Sequence, residues 1–428
     1  MFATNVLNSV DEVPAADWER LTRRSDIDSS RGFLRFREYL EPGRDLLLTA
    51  SAEGELAAAL RAVIAVPGSG FTSDPWKFLG STAVLRAEPG QDEAELKALH
   101  ETHAGLIRGG DGEDGPLWQT LTRRFGPCFV VREFDRSELW YAPELDPAAR
   151  ARATETLIAA AQRVAIAQGA GTVAFPYVPV SDPLLREALT AAGFQHGTLT
   201  GACTIDTRGC ADYADFLSRL PSRRRRMFRL EEQRLADAPD LDQGAVDLGA
   251  NADRIAQLEV NTLLKYGGVA DRDAIYEARI KLAEELPEAV RIAAVRRGGE
   301  LIASAMHLVG RQSVVAMTYG ADYGIEDRSS AYSWAIVYFP VRLAVEAKLD
   351  GVRMGFEGFR AKTVRGALVE PREMWLWTPD PAGRAELGEL LGLVGARNDA
   401  YLSQYPQVAR ESQAAQVSQA SRSTGAQR

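Results

Sequence analysis

Twice along the chain a glycine-centred β-hairpin is followed by a further strand, a long helix and another strand, and this order restricts the fold more than any single motif. In the first copy, Asp45 to Ser51 and Glu55 to Val66 are apolar runs separated by Ala52-Glu53-Gly54, where glycine supplies the turn. Gln91 to Ile107 carries helical spacing through Leu96, Leu99, His103 and Ile107. Pro127 to Phe134 and Ser137 to Ala142 read as strands, and Asp146-Pro147 opens a long helix with an N-cap and a proline at its first position. Thr172 to Val178 is a strand, Asp182-Pro183 starts a helix that Ala192-Gly193 stops, and Phe194 to Thr207 returns as β-structure. The second copy has a hairpin, Val290 to Arg296 and Glu300 to Val309, around Gly298-Gly299, then a strand from Ser313 to Tyr319. A helix from Ser330 to Ala347 follows, with strands at Gly351 to Gly355 and Glu373 to Thr378. Helices at Tyr213 to Ala236, Asp253 to Leu264 and Asp271 to Leu286 precede this hairpin. The predicted class is α/β (α+β): a first unit over 1–208, a second over 209–407 with a helical insertion at 209–288, and a disordered tail over 408–428.

Composition narrows the function. A chain of 428 residues buries a core without disulfides or structural metal. Its three cysteines, Cys128, Cys203 and Cys210, lack CxxC spacing and suit a reducing compartment. His100-Glu101-Thr102-His103 is not HExxH, so no metal is expected, and Gly109 to Gly115 is too acidic to cradle phosphate. The net charge of −9 lacks the basicity of a protein that coats nucleic acid, so no DNA partner is expected. Met1 to Asn5 shows no signal-peptide pattern and no run reads as a membrane span, which predicts a cytoplasmic location.

Against this acidic background, Ser222 to Arg229 packs five arginines into eight residues: Arg223, Arg224, Arg225, Arg226 and Arg229. On a helix Arg223–Arg226 and Arg225–Arg229 share a face, while Arg224 points elsewhere. The tract suits phosphates of a tRNA or another anion; the plainer alternative is a solvated face paired with Glu231 and Glu232.

Meander, long helix, strand, helix is the element order of the GNAT N-acyltransferase superfamily, and Ala191-Ala192-Gly193-Phe194 resembles a frequent ending there. The second unit resembles the GNAT-like domains of Fem-type aminoacyltransferases of peptidoglycan bridge synthesis, which carry two such domains in one chain. The resemblance rests on Trp18, Leu21 and Ser30 to Leu34, and on Phe216 to Leu220 with Arg225 and Arg229. It continues through Glu259, Asn261 and Lys265-Tyr266-Gly267, Ser330-Ala331-Tyr332, and Gly355, Lys362 and Gly366-Ala367. Arg353-Met354 stands where that pattern has an acid and an aromatic residue, so no role for that acid carries over. The resemblance implies amide formation by direct transfer, with no bound cofactor and no covalent intermediate. A donor coenzyme A needs a glycine-rich turn for its pyrophosphate. Here the two candidate junctions, Tyr141 to Asp146 and Tyr319 to Arg328, carry carboxylates instead. Aminoacyl-tRNA, the Fem-type donor, is therefore the expected co-substrate, with the amine of a peptide, a cell-wall precursor or a small natural product as acceptor. Acyl-CoA as donor and a non-catalytic binding scaffold are the alternatives.

Such chemistry needs proton transfer, stabilisation of an oxyanion and alignment of the reactants. Glu357 and Lys362, just past the Gly351 to Gly355 strand, are candidates for orienting the amine and neutralising the oxyanion, against an ordinary surface ion pair. Tyr319 and Tyr323 at the end of the third meander strand are candidate proton donors, or packing residues. Lys265, Tyr266, Arg342 and Arg365 are candidate substrate contacts; Lys265-Tyr266-Gly267 also suits a plain helix C-terminus.

Overall fold

A computed structural model describes residues 2–41, 45–66, 74–80, 117–238, 240–266, 268–325, 328–356 and 358–408. The expected helix over 91–107, the His100–His103 pair, the loop 109–115, Gly267, Glu326, Asp327, Glu357 and the tail beyond 408 lie outside the described residues.

Among the described residues thirteen strands form one sheet: β1 (Ala3–Leu7), β2 (Asp45–Ala52), β3 (Glu55–Ala65), β4 (Cys128–Val131), β5 (Trp140–Tyr141), β6 (Thr172–Pro179), β7 (Gln195–Asp206), β8 (Leu241–Val246), β9 (Val290–Arg297), β10 (Glu300–Val309), β11 (Ser313–Ala321), β12 (Gly351–Arg353) and β13 (Leu368–Trp377). Their order is β1-β2-β3-β4-β6-β13-β7-β12-β11-β10-β9-β8, with β5 beside β3. Residues 1–208 and 209–407, the two units expected from the sequence, each contribute a meander and a parallel pair to this sheet: β4 with β6 in the first, β11 with β12 in the second. Between these pairs the units exchange strands. β13 of the second unit lies between β6 and β7, and β7 of the first lies between β13 and β12, all antiparallel.

Local chemistry explains most boundaries. Asp146 and Asp182 cap the helices Pro147–Ala167 and Pro183–Ala191, each accepting a first-turn N–H and each followed by proline. The helix expected over Tyr213 to Ala236 is two, Tyr213–Arg219 and Ser222–Asp237. Pro221 drives Leu220 to ψ 146, out of the helical region. β13 begins at Leu368, before the strand expected from Glu373; Pro371 masks its first half, and a register shift follows at Arg372/Glu373. A long C-terminal helix, Pro381–Leu402, was not apparent in the sequence because four glycines interrupt its apolar stripe. Two glycines make its contact possible. A Cβ on Gly197 would meet Leu391 O at 2.1 Å, and one on Gly395 would crowd Gly197 in turn. Asn398 then donates to Thr198 O and Leu199 O, clamping the helix to the exchanged strand β7.

The units also meet in charge. Arg353 on β12 is mostly buried and donates to Asp28 and Asp135 of the first unit, at 2.7 Å to Asp28. Burial alone would raise the Asp28 carboxyl, but Arg353 and Arg136 hold it well below the usual range. The arginine that departs from the family pattern is therefore matched by acids across the seam. Among the described residues, no helix is long and apolar enough to cross a membrane.

Candidate active site

A parallel pair that separates part-way opens a cleft between its strands. β11 and β12 pair only from Ser313↔Gly351 to Val315↔Arg353; β11 then runs on to Ala321 while β12 stops. In the first unit β4 and β6 part in the same manner after Val130↔Ala174. There the gap is bridged by Ser137, whose Oγ lies 2.6 Å from Val131 O and 2.5 Å from Pro176 O. The second unit's opening is bounded by residues of four separate segments.

Tyr332 lies beside it, on the helical run Arg328–Glu346 and against Tyr319 of β11. Burial raises its hydroxyl to about 12, Arg365 pulls it back, and Tyr266, Cys203 and Tyr323 lie close enough to add to the rise. Its ring meets Tyr319 edge-on at 5.1 Å between centroids. The candidates Tyr319, Tyr323, Tyr266 and Arg365 thus converge on a tyrosine that the sequence marks only as the start of a helix. The surrounding wall is firmly held. Glu259 on Leu248–Lys265 takes a two-pronged bond from Arg279 and a hydroxyl from Thr318. Tyr323 OH lies 3.3 Å from Thr262 Oγ1. Lys265 places Nζ 3.9 Å from the centre of the Tyr323 ring and 5.5 Å from that of Tyr266.

Lys362 is buried, and its Nζ donates to Met354 O and Phe356 O, each at 2.8 Å. It ties down the loop leaving β12, and its charge opposes the rise that burial imposes on the Cys203 thiol. All three cysteines are free and buried.

Arg365 reaches the other way. It grips Glu231 with Nε and Nη2, at 3.3 and 2.8 Å, and Tyr338 OH donates to the same carboxylate. Arg342 is held apart from Tyr332: it pairs with Glu232 at 2.6 Å and lies over the Tyr213 ring at 3.8 Å. The alternative, pairing of the arginine tract with Glu231 and Glu232, is not what the fold builds, because these two acids pair with Arg365 and Arg342 instead. Arg225 donates to Ser218 O, a terminal carbonyl of the preceding helix. The side chains of Arg223, Arg224, Arg226 and Arg229 make no hydrogen bond or ion pair among the described residues. Arg223, Arg226 and Arg234 share one face with Met227, Leu230 and Glu231, where they line a groove of about 200 Å³.

The helical run that carries Tyr332 continues into an unusual turn. Residues Trp334–Tyr338 form a π-helical turn in which Phe339 N–H bonds Trp334 O, five residues back. The next carbonyl in that register, Ala335 O, would need an N–H from Pro340, which has none. His307 on β10 supplies it: Nε2 lies 2.9 Å from Ala335 O and must be the protonated nitrogen, since a carbonyl only accepts. Burial lowers the His307 pKa to about 4, keeping the ring neutral.

Another cavity, about 220 Å³, lies at the opposite end of the β11–β12 pair, lined by Asp26, Asp206, Arg208, Asp350 and Arg353 among others. Its Arg208 and Arg353 are already neutralised by Asp206, Asp28 and Asp135.

Comparison with known proteins agrees with this architecture. FemX has a similar fold, with a TM-score of 0.53 and 10% identity, covering 87% of this chain and 96% of that one. A tandem GNAT protein from the clavulanic acid biosynthesis pathway gives a TM-score of 0.47 and 13% identity, over 89% and 99% of the two chains. The C-terminal domain of a lysylphosphatidylglycerol synthetase from Agrobacterium fabrum gives 0.42 and 14%, over 64% and 82%. No curated protein matches the chain in sequence. The model of the FemAB-like family, described as peptidoglycan biosynthesis/recognition, matches residues 144–408, more than half of the chain and all of the cleft. The chain belongs to the FemAB-like family and is an acyltransferase.

Proposed function

We propose that the protein forms an amide bond by moving an aminoacyl group from aminoacyl-tRNA to the amine of a peptide, a cell-wall precursor or a small natural product, in the cleft of the second unit. The observation that carries this reading is the set of unpaired arginines beside that cleft, on a chain of net charge −9. A second feature disfavours coenzyme A. In the turn after β11, where a diphosphate would seek backbone amides, Asp322 already accepts the Gly324 N–H at 3.0 Å and pairs with Arg254.

In the proposed reaction the acceptor nitrogen attacks the ester carbonyl, the C–N bond forms, and the bond to the ribose oxygen breaks. The nitrogen loses a proton and the departing oxygen gains one. Tyr332 is the proton donor to that oxygen: its hydroxyl has no hydrogen-bond partner among the described residues, and a phenol is protonated at neutral pH. Tyr319 and Tyr323 wall the donor's path, with Lys265 and Tyr266 at the rim. Lys362 acts as a positioning residue through the Met354 and Phe356 carbonyls.

The test incubates purified protein with charged tRNA or acyl-CoA and a panel of amines, and follows amide product by mass spectrometry. Product from charged tRNA that disappears after RNase treatment is expected. Product from acyl-CoA alone would overturn the proposal, and tight amine binding without product from any donor would point to a binding scaffold.

A further inference from the structure

The arginine groove has features that a generic phosphate patch does not need. Arg223 to Arg226 occupy the first turn of Ser222–Asp237, where the helix dipole disfavours cations, and that turn holds no acid to offset them. A local choice that costs stability is a mark of function. The positive end of the dipole and the guanidinium groups together make an anion site, and Arg223 and Arg234 are about 16 Å apart along the axis at the ordinary helical rise.

Between those arginines the floor is apolar. Met227 is half-buried, and Leu230 is 43% exposed, a large side chain left open among charges. A duplex presents phosphates and sugars outward and keeps its bases stacked inside, so it has nothing to lay on Leu230. An unpaired strand offers both a backbone for the arginines and a base face for the floor. The groove also leads to the cleft: Glu231 lines it and at the same time grips Arg365, whose charge acts on Tyr332.

Resting on the proposed use of aminoacyl-tRNA, we infer that this groove binds the unpaired end of the RNA. A base lies on Met227 and Leu230, and Arg223, Arg226 and Arg234 take the adjoining phosphates, so the terminal ester is led toward Tyr332.

Fluorescence anisotropy on the full chain tests this with a labelled single-stranded RNA six nucleotides long, a blunt RNA hairpin and anionic phosphatidylglycerol vesicles. The single strand should bind at least tenfold more tightly than the hairpin. Arg226→Ala should weaken it and lower the slope of log affinity against log salt by about 0.7, the share of one single-strand phosphate contact. Leu230→Ala should weaken it about fivefold or more, as loss of a base contact does, with the salt slope unchanged. Both side chains are on the surface, and circular dichroism confirms folding. Equal or tighter binding of the hairpin overturns the inference, as does binding to vesicles alone. Full transfer from charged tRNA by both variants also overturns it, while leaving the proposed reaction standing. Product from acyl-CoA alone removes the reaction itself, whichever RNA binds.

Discussion

Tyr332 is the residue on which the cleft converges, and its contribution is separable from packing. Tyr332→Phe keeps the ring against Tyr319 and removes only the hydroxyl. A lost proton donor should lower kcat about 100-fold or more with little change in the donor KM, read by steady-state kinetics. An unaltered kcat would take Tyr332 out of the mechanism. Lys362 predicts another pattern. Lys362→Met leaves the Met354 and Phe356 carbonyls without their donor, costing about 1–3 kcal/mol for each in urea unfolding, with activity falling as the loop shifts. His307 gives a pH signature. Its folded pKa of about 4 lies below the ordinary 6.5, so the unfolded chain binds the extra proton as pH falls between them. That stability is fully present above pH 6.5 and is lost as pH falls toward 4, at up to about 1.4 kcal/mol per unit. His307→Gln, which keeps an N–H donor but does not titrate, should lack this slope, so the difference between the two urea-unfolding profiles should carry it.

At the scale of elements, the π turn links two residues distant in sequence. If His307 is there to serve the carbonyl that Pro340 cannot, Pro340→Ala should lessen the penalty of His307→Ala. A double-mutant cycle in urea should give a coupling of about 1 kcal/mol or more, and strict additivity would reject the pairing. These elements also show what could be read in advance. The hairpins at Gly54 and Gly298-Gly299, and the caps at Asp146 and Asp182, were legible because turns and caps are written in neighbouring residues. Pro381–Leu402 was hidden by its glycines, of which Gly395 has its reason in a close approach to Gly197 on another strand. The site divides likewise. Tyr319, Tyr323, Tyr266 and Arg365 were legible as residues beside element ends, but their meeting at Tyr332 depends on the folded sheet. The same holds for the arginines: spacing gave Arg223 and Arg226 a common face, whereas only the fold turns Glu231 and Glu232 away from them.

For the whole molecule, the seam at Arg353 binds the units by charge as well as by strands. Removing one partner of a buried ionic group strands the others, so Arg353→Met should cost about 3–5 kcal/mol. Adding Asp28→Asn and Asp135→Asn should recover much of that loss in chemical denaturation, since two of the three carboxylates that face Arg353, the third being Asp26, are then uncharged. A triple variant as unstable as the single one would show that Arg353 matters for its shape alone.

The interleaving of β7 and β13 also bears on how the chain is made. A ribosome completes β6 and β7 long before it reaches Leu368, so the flank of β6 that β13 will occupy stands open through synthesis of the entire second unit. During that interval the nascent first unit presents unpaired backbone at the very place where its sheet is to be deepest, a natural target for a holding chaperone and a natural origin of aggregates. Native topology is reached only when the last strand threads between two that were waiting for it.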